Sequence, residues 1–337
     1  MHLSYDKYME MIFYLLKIIN NKNIRLELTS LLNDKGIKKA IALNEKNIKE
    51  DLTEIEINPH VDPNITFGVE LECSHKLNTS YIALGTLYNN WHFKEEGTVY
   101  NGVEITSPIL NYTNEDMKRL KCICDFLNEN GFKTTKDCGG HIHFGFDYIE
   151  SITHLQLLYY IYVNTEEILS YMFNKEGTIL REGAIANAPF INENILNLYG
   201  KYIQTYANNL KSFATLLGNA QKDRYASLNI KNAFSLDKNT IELRIPNGTL
   251  EFNELNLNII LFTRIMQKSK YFSHNTDDKK LLKELLFLSK DIPIEDKKNY
   301  LLDILFDEDY ELKNIFYDRF ETNYHLTKEK ELSKTRN

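Results

Sequence analysis

The chain has 337 residues, of which 43% are hydrophobic and 26% charged, and its formal net charge is -7. That length and composition suit a globular protein with a sizeable core, as one large domain with appendages or as two domains. The acidic balance disfavours a nucleic-acid phosphate backbone as partner but leaves metal-bound anions open, because the metal brings the positive charge.

Residues 1–62 read as a helical N-terminal extension. Tyr8, Met11, Ile12, Leu15, Leu16 and Ile19 recur at helical spacing, and shorter helical segments follow at 25–32 and 37–43. The apolar run at 11–16 is short, is preceded by Asp6 and Glu10 and is followed by Lys17, which is not the pattern of a signal peptide. No stretch approaches the length of a membrane span, so a soluble, cytoplasmic protein is expected. Residues 54–59 read as a brief strand and 60–64 as a linker.

The pattern changes at Thr66-Phe67-Gly68-Val69-Glu70-Leu71-Glu72, which alternates with period two: Phe67, Val69 and Leu71 face one way, Glu70 and Glu72 the other. A helix is predicted at 80–88 and a turn at 95–98. A strand at 102–108 carries Glu104 and Thr106 opposite Val103 and Ile105, and Pro108 ends it. A helix then starts at Thr113 or Asn114, has Glu115 and Asp116 in its first turn, and stops at Gly131. It contains Cys122 and Cys124. Together with Cys73 and Cys138 they are too few for a disulfide framework in a chain this long, and no second pair completes a zinc site; all four are expected to be reduced.

Cys138-Gly139-Gly140-His141-Ile142-His143-Phe144-Gly145 reads as a strand with His141, His143 and Gly145 on one face. Two imidazoles there lie about 6.5–7 Å apart along the backbone, and neutral imidazole is a common metal ligand. The glycines leave that face open to a bulky ligand. A Tyr-rich apolar helix is predicted at 155–173 with Thr153 as its cap. An irregular stretch follows at 174–200, then a helix at 191–217 interrupted near Gly200. Strands at 224–229 and 240–246 are joined through Asp237-Lys238-Asn239, and the second presents Glu242 and Arg244 on one face. Residues 253–269 form a strongly amphipathic helix. Beyond 271 the chain reads as short charged helices at 281–288 and 300–306, and 326–337 is expected to fray. The organisation is thus a 1–62 N-terminal extension, a 63–270 central domain and a 271–337 C-terminal extension.

A single alternating charged strand is ordinarily a solvated sheet face. Here four strands repeat the pattern, with Glu70 and Glu72, Glu104, His141 and His143, and Glu242 and Arg244. The fold this predicts is α+β: an antiparallel sheet with helices on its apolar face and a concave, charged face lining a site. Carboxylates crowded on one face repel one another unless cations neutralise them. Carboxylate oxygens with imidazole favour Mg²⁺ or Mn²⁺ over a structural zinc, and arginines on the same surface point to phosphate.

These segments, with Glu104-Ile105-Thr106-Ser107-Pro108-Ile109, Arg224-Tyr225 with Asn229, and Asn247-Gly248-Thr249-Leu250 after Arg244, resemble in order the motifs of the amidoligases, over about residues 65–270. That family is similar to glutamine synthetase and glutamate–cysteine ligase. The resemblance implies a glutamine synthetase-like catalytic fold and an ATP-dependent carboxylate–amine ligase with an acyl-phosphate intermediate. It implies Glu70, Glu72, Glu104, His141 and Glu242 as ligands of two or three divalent ions, and Glu96 as a further one where relatives commonly carry Asp. It also implies His143, Arg224 and Asn229 at the nucleotide, and Arg244 on the transferred phosphoryl group, so that Arg224, Glu242 and Arg244 form the catalytic set. The substrates would be a small-molecule or peptide carboxylate and an amine, and a homo-oligomer is compatible with the extensions. Glu182 is a candidate base for the amine. Two alternatives stay open: a metal-dependent hydrolase built on the His-x-His strand, and a catalytically inactive binding or structural relative.

Overall fold

The alternation at 66–72 folds into the central strand β1, Thr66–Ser74, around which a sheet is assembled. The computed structural model describes residues 55–75, 91–180, 188, 190–191, 207–221, 225–236 and 238–335. The N-terminal helices, the 80–88 helix, Arg181, Glu182, Arg224 and most of the 191–217 helix lie outside the described residues.

The other strands are β2 His92–Glu96, β3 Gly102–Thr106, β4 Leu110–Asn111, β5 Gly140–Gly145, β6 Leu228–Asn229 and β7 Thr240–Leu243. They form one antiparallel sheet in the order β2-β3-β1-β5-β7-β6, with β4 also paired to β1. The fold is therefore α+β with an open antiparallel sheet, as the alternation predicts.

Several predicted boundaries move. The stretch 95–98 is not a turn throughout, because β2 runs to Glu96 and pairs Lys94 with Glu104. Residues 55–58 form no strand. The strands predicted at 224–229 and 240–246 shorten to Leu228–Asn229 and Thr240–Leu243; after Leu243 the chain leaves the ladder toward Pro246, which has no N–H to donate.

Register decides the faces. Phe67 pairs with Phe144 and Phe144 with Ile241; Val69, Ile142, Leu243 and Leu228 form a second row; Leu71, Ile105 and Phe93 form a third. All are buried, and this face carries the core. Helices cover it: α1 Asn114–Glu129, α2 Ile152–Met172 and, further along the chain, α4 Phe252–His274. Phe262 of α4 packs at 4.6 Å between ring centroids on Phe144 and meets Tyr162 of α2 edge-on. A short α3, Leu210–Ala220, adds Phe213 and Leu217 to the core.

Local chemistry sets the helix ends. Thr113 caps α1 by accepting from Asp116 N. At its other end Gly131, at φ +81°, turns the chain so that Gly131 N donates to Asn128 O and Phe132 N to Leu127 O. Those are the two bonds that close a helix through a left-handed glycine. The cap of α2 is Ser151, whose Oγ accepts from His154 N at 3.1 Å, and not Thr153.

The C-terminal part is more continuous than its pattern suggests. Helices α5 Lys279–Ser289 and α6 Ile294–Leu305 are followed by α7, Tyr310–Thr335, a single helix through the stretch expected to fray. It is anchored on α2 and α4: Arg319 pairs with Glu254 at 2.7 Å, and Asn323 Nδ2 donates to the carbonyls of Tyr171 and Asn174. Helix α4 runs through residue 270 to His274. Among the described residues the four cysteines form no disulfide, and no helix is long and apolar enough to cross a membrane.

Candidate active site

Because partners across an antiparallel ladder project to the same side, the register that buries Phe67, Val69 and Leu71 turns the polar residues together onto the other side. One row is His92, Thr106, Glu70 and His141; a second is Lys94, Glu104 and Glu72; a third is Gly68, His143, Glu242 and Asn229. Residues separated by up to 172 positions in the chain thus become neighbours.

Glu70 is the hub. Its Oε1 lies 3.0 Å from His143 Nε2 and 3.5 Å from Lys238 Nζ, and its Oε2 lies 3.3 Å from His141 Nδ1. Burial pushes the Glu70 carboxyl up, but the hydrogen bonds and charges of His141 and His143 outweigh it and hold it well below the usual carboxylate range. His143 is fixed from behind by Thr240 Oγ1, 3.0 Å from Nδ1. His141 Nδ1 also lies 3.5 Å from Glu72 Oε1, while the other oxygen of Glu72 accepts from Gly139 N at 2.6 Å.

Glu242 is held from two sides. Asn229 Nδ2 donates to its Oε2 at 2.8 Å, and the Arg244 guanidinium bonds its Oε1. The same guanidinium lies 5.6 Å from the ring centroid of Tyr225. Glu104 is raised by burial and by the charge of Glu70, against the pull of Lys94, 2.7 Å away. Glu96 sits at the sheet edge on the same side. Its Oε1 accepts from Thr98 N and Oγ1, bonds that hold its carboxyl low against the opposing effect of burial.

Of these side chains, Glu70, His143 and Glu242 each offer a ligand atom within 4.8 Å of the others. Two carboxylates and one imidazole, largely withdrawn from solvent, make a donor set that fits Mg²⁺ or Mn²⁺. Among the described residues five carboxylates (Glu70, Glu72, Glu96, Glu104, Glu242) stand on this side against Lys94, Lys238 and Arg244, a balance that also favours an added cation. A cavity of about 290 Å³ opens beside Glu70 and His143 and is lined also by Ser107, Ile109, Lys238 and Thr240.

Each expected site residue that is described has a definite place. His143, placed by resemblance at the nucleotide, stands among the candidate metal ligands, and His141 stands between Glu70 and Glu72. Asn229, also placed at the nucleotide, holds Glu242. Arg224 is outside the described residues. The glycines of the polar face do not leave it open: a Cβ at Gly145 would stand 2.1 Å from Thr66 Oγ1 and one at Gly68 3.3 Å from Ser107 Oγ, while Gly140 belongs to the apolar side, paired with Leu71. Lys94 and Lys238 also reach this side, and the predicted elements point to neither. Lys94 alternates with Glu96 and is legible once 92–96 is read as a strand; Lys238 lies in the segment just before β7 and carries no local signal. The downstream histidines a hydrolase would draw on are engaged elsewhere. His154 is buried with Nε2 3.2 Å from Met266 O, His274 pairs with Glu150 and His325 with Glu321.

An α+β protein whose antiparallel sheet gathers acidic and imidazole groups on one side is thereby defined. A family model described as "Putative amidoligase enzyme" matches residues 83–266, and the chain belongs to this family. Membership supports ligase chemistry in general. No curated protein matches the chain.

Proposed function

We propose that the protein is an ATP- and divalent-metal-dependent carboxylate–amine ligase that forms an amide through an acyl phosphate. The observation that carries this reading is the convergence of Glu70, His143 and Glu242 in an amidoligase-family chain. These three would hold one Mg²⁺ or Mn²⁺ ion, and Glu72, Glu96, Glu104 and His141 stand along the same side for others. Bound ions would neutralise charge on the phosphate oxygens, the main electrostatic demand of phosphoryl transfer.

The chain's own residues do the remaining work. Thr240 and Asn229 fix the orientation of His143 and Glu242, so the donor set is preorganised. Arg244 presents a planar guanidinium next to Glu242, suited to bidentate contact with the γ-phosphoryl oxygens. Arg224, outside the described residues, is assigned to the phosphates on its motif alone. Lys238 and the cavity beside Glu70 offer room and positive charge for an anionic substrate.

A substrate carboxylate oxygen bonds to the γ-phosphorus as the bond to the ADP oxygen breaks. The amine nitrogen then bonds to the acyl carbon, the acyl carbon–oxygen bond breaks, and phosphate leaves carrying the proton that nitrogen loses. The ammonium form of the amine first gives its proton to a nearby carboxylate. This chemistry, on a glutamine synthetase-like sheet, would serve a cytoplasmic enzyme with a small-molecule or peptide substrate.

The test is calorimetric titration of ATP into the full chain with Mg²⁺, with Mn²⁺ and with EDTA, followed by mass-spectrometric screening of acid and amine pairs for amide product. Metal-dependent ATP binding and an amide formed with stoichiometric ADP support the reading. Tight zinc binding with no nucleotide binding in any metal sinks it in favour of a hydrolase, and silence for both favours an inactive relative.

A further inference from the structure

One buried titratable group takes no part in the chemistry assigned above. Glu166, in α2 on the helical side of the sheet, is 4% exposed, and no cationic partner acts on it among the described residues. The Ser227 hydroxyl hydrogen-bonds its Oε1, and Ile191 N donates to its Oε2 at 2.9 Å. One carboxyl thus ties α2 to two segments 61 and 25 positions away in the chain. A carboxyl in an apolar core is costly to bury, and an apolar side chain of similar size would pack there more cheaply. Its place is explained by what it holds.

Ser227 leads directly into β6. Among the described residues β6 is the last strand of the sheet and is two residues long, so its ladder with β7 is too short to fix it alone. Side chains on the helical side supply what the ladder lacks. Gln221, just after α3, donates from Nε2 to Leu228 O at 2.7 Å and to Tyr159 Oη at 3.0 Å, and its Oε1 accepts from Ile230 N at 3.1 Å. Glu166, Tyr159 and Gln221 therefore form a buried polar layer that holds residues 227–230.

The same short segment holds two members of the candidate site. Ser227 O accepts from Arg244 N at 2.8 Å, and Asn229 Nδ2 donates to Glu242 Oε2 at 2.8 Å. A shift of 227–229 would move the Arg244 backbone and release one side of Glu242 together.

We propose that Glu166 is a positioning residue for this site: through Ser227 it sets the place of β6, and through β6 the places of Arg244 and Glu242. The roles of Arg244 and Glu242 rest on the ligase reading; the bonds that place them do not.

The test uses the full chain and two mild variants. Ser227→Ala cuts the link and leaves Glu166 on Ile191 N. Glu166→Gln keeps both bonds, because its amide donates to Ser227 Oγ and its carbonyl accepts from Ile191 N. It also matches the neutral carboxyl at pH 7, since burial pushes that group up to about 8. Hydrogen exchange resolved at the Arg244 amide is the first readout, with the amides of β1 and β5 as controls. Exchange at Arg244 is expected to be about tenfold or more faster in Ser227→Ala and parental in Glu166→Gln, with the controls unchanged in both. Glu166→Met, which removes both bonds, should resemble Ser227→Ala; if it does not fold, Ser227→Ala carries the test. Calorimetric titration of ATP with Mg²⁺ is the second readout, and Ser227→Ala should raise the Kd about tenfold while Glu166→Gln leaves it unchanged. A parent that binds no ATP tells against the ligase reading, and the exchange result then decides the role of Glu166. The proposal is overturned if Ser227→Ala leaves the Arg244 amide as protected as in the parent, if Glu166→Gln loosens it as Ser227→Ala does, or if the β1 and β5 amides loosen equally. It is also overturned if the parent binds ATP and Ser227→Ala binds it equally well.

Discussion

Replacing Glu70 by Gln removes one negative charge from the centre of the polar side while preserving shape. If Glu70, His143 and Glu242 bind Mg²⁺ or Mn²⁺, the parent protein at a metal concentration of 100 Kd gains about 2.7 kcal/mol, and at ~2 °C per kcal/mol for a chain of this size its melting temperature rises by about 5 °C. Losing a charged ligand should weaken the site by about 100-fold or more, comparable to the upper range for loss of even an outer-shell partner. The same metal concentration then equals the new Kd, the gain falls to about 0.4 kcal/mol, and the shift shrinks to about 1 °C.

The metal-free variant should start lower. Glu70 accepts from both histidines, and each charge-assisted bond contributes about 1.5–3 kcal/mol, partly offset by relief of repulsion with Glu72 and Glu104. The pH dependence has a definite sign. The folded carboxyl lies below its ordinary value of 4.5, so its contribution is present above that pH and is lost as pH falls below it. The variant should lack this acid limb. The assay is thermal unfolding against metal concentration and pH, for both proteins. A parent melting temperature indifferent to Mg²⁺ and Mn²⁺, or an undiminished metal shift in Glu70→Gln, would refute the argument.

Glu166, enclosed in α2, has its carboxyl pushed up to about 8 by burial, against the pull of the Ser227 hydroxyl and the Ile191 N–H. Its stabilising contribution is full below the ordinary value of 4.5 and is lost as pH rises toward 8, so Glu166→Gln should flatten the stability–pH profile there by about 1 kcal/mol per pH unit; parallel profiles would contradict this. Arg244→Ala should reduce amide synthesis by about 10³-fold, as for other arginines placed on a transferring phosphoryl group, with a smaller effect on ATP binding; an unchanged single-turnover rate would remove Arg244 from the chemistry. Phe144→Ala should cost about 3–5 kcal/mol in denaturant unfolding, because the ring is fully buried against Phe262. Ser151→Ala should cost about 1 kcal/mol and Thr153→Ala much less, which distinguishes the observed cap of α2 from the predicted one.

Much of the sheet's chemistry is legible in one dimension because a strand alternates with period two wherever it sits. The sequence of β1 alone separates Phe67, Val69 and Leu71 from Glu70 and Glu72, and Ile142 and Phe144 are separated from His141 and His143 in the same way. The capped, glycine-stopped α1 is likewise written locally, since Thr113 and Gly131 act within one turn of the helix they bound.

Which strand lies beside which is not written locally. That Glu70 pairs with both Thr106 and His141, and that His143 rather than His141 joins Glu70 and Glu242, depends on register between segments more than 30 residues apart. Register is set when rows such as Phe67–Phe144–Ile241 close against Phe262, because a slip of one residue would turn every side chain of the shifted strand to the polar face. Lys238 reaches Glu70 from the segment before β7, Gly145 yields its space to Thr66, and α7 stays helical to Thr335 through the stretch expected to fray. Each outcome belongs to tertiary packing: composition and periodicity specify what a segment can bury, and only the partners brought against it specify where its polar groups come to rest.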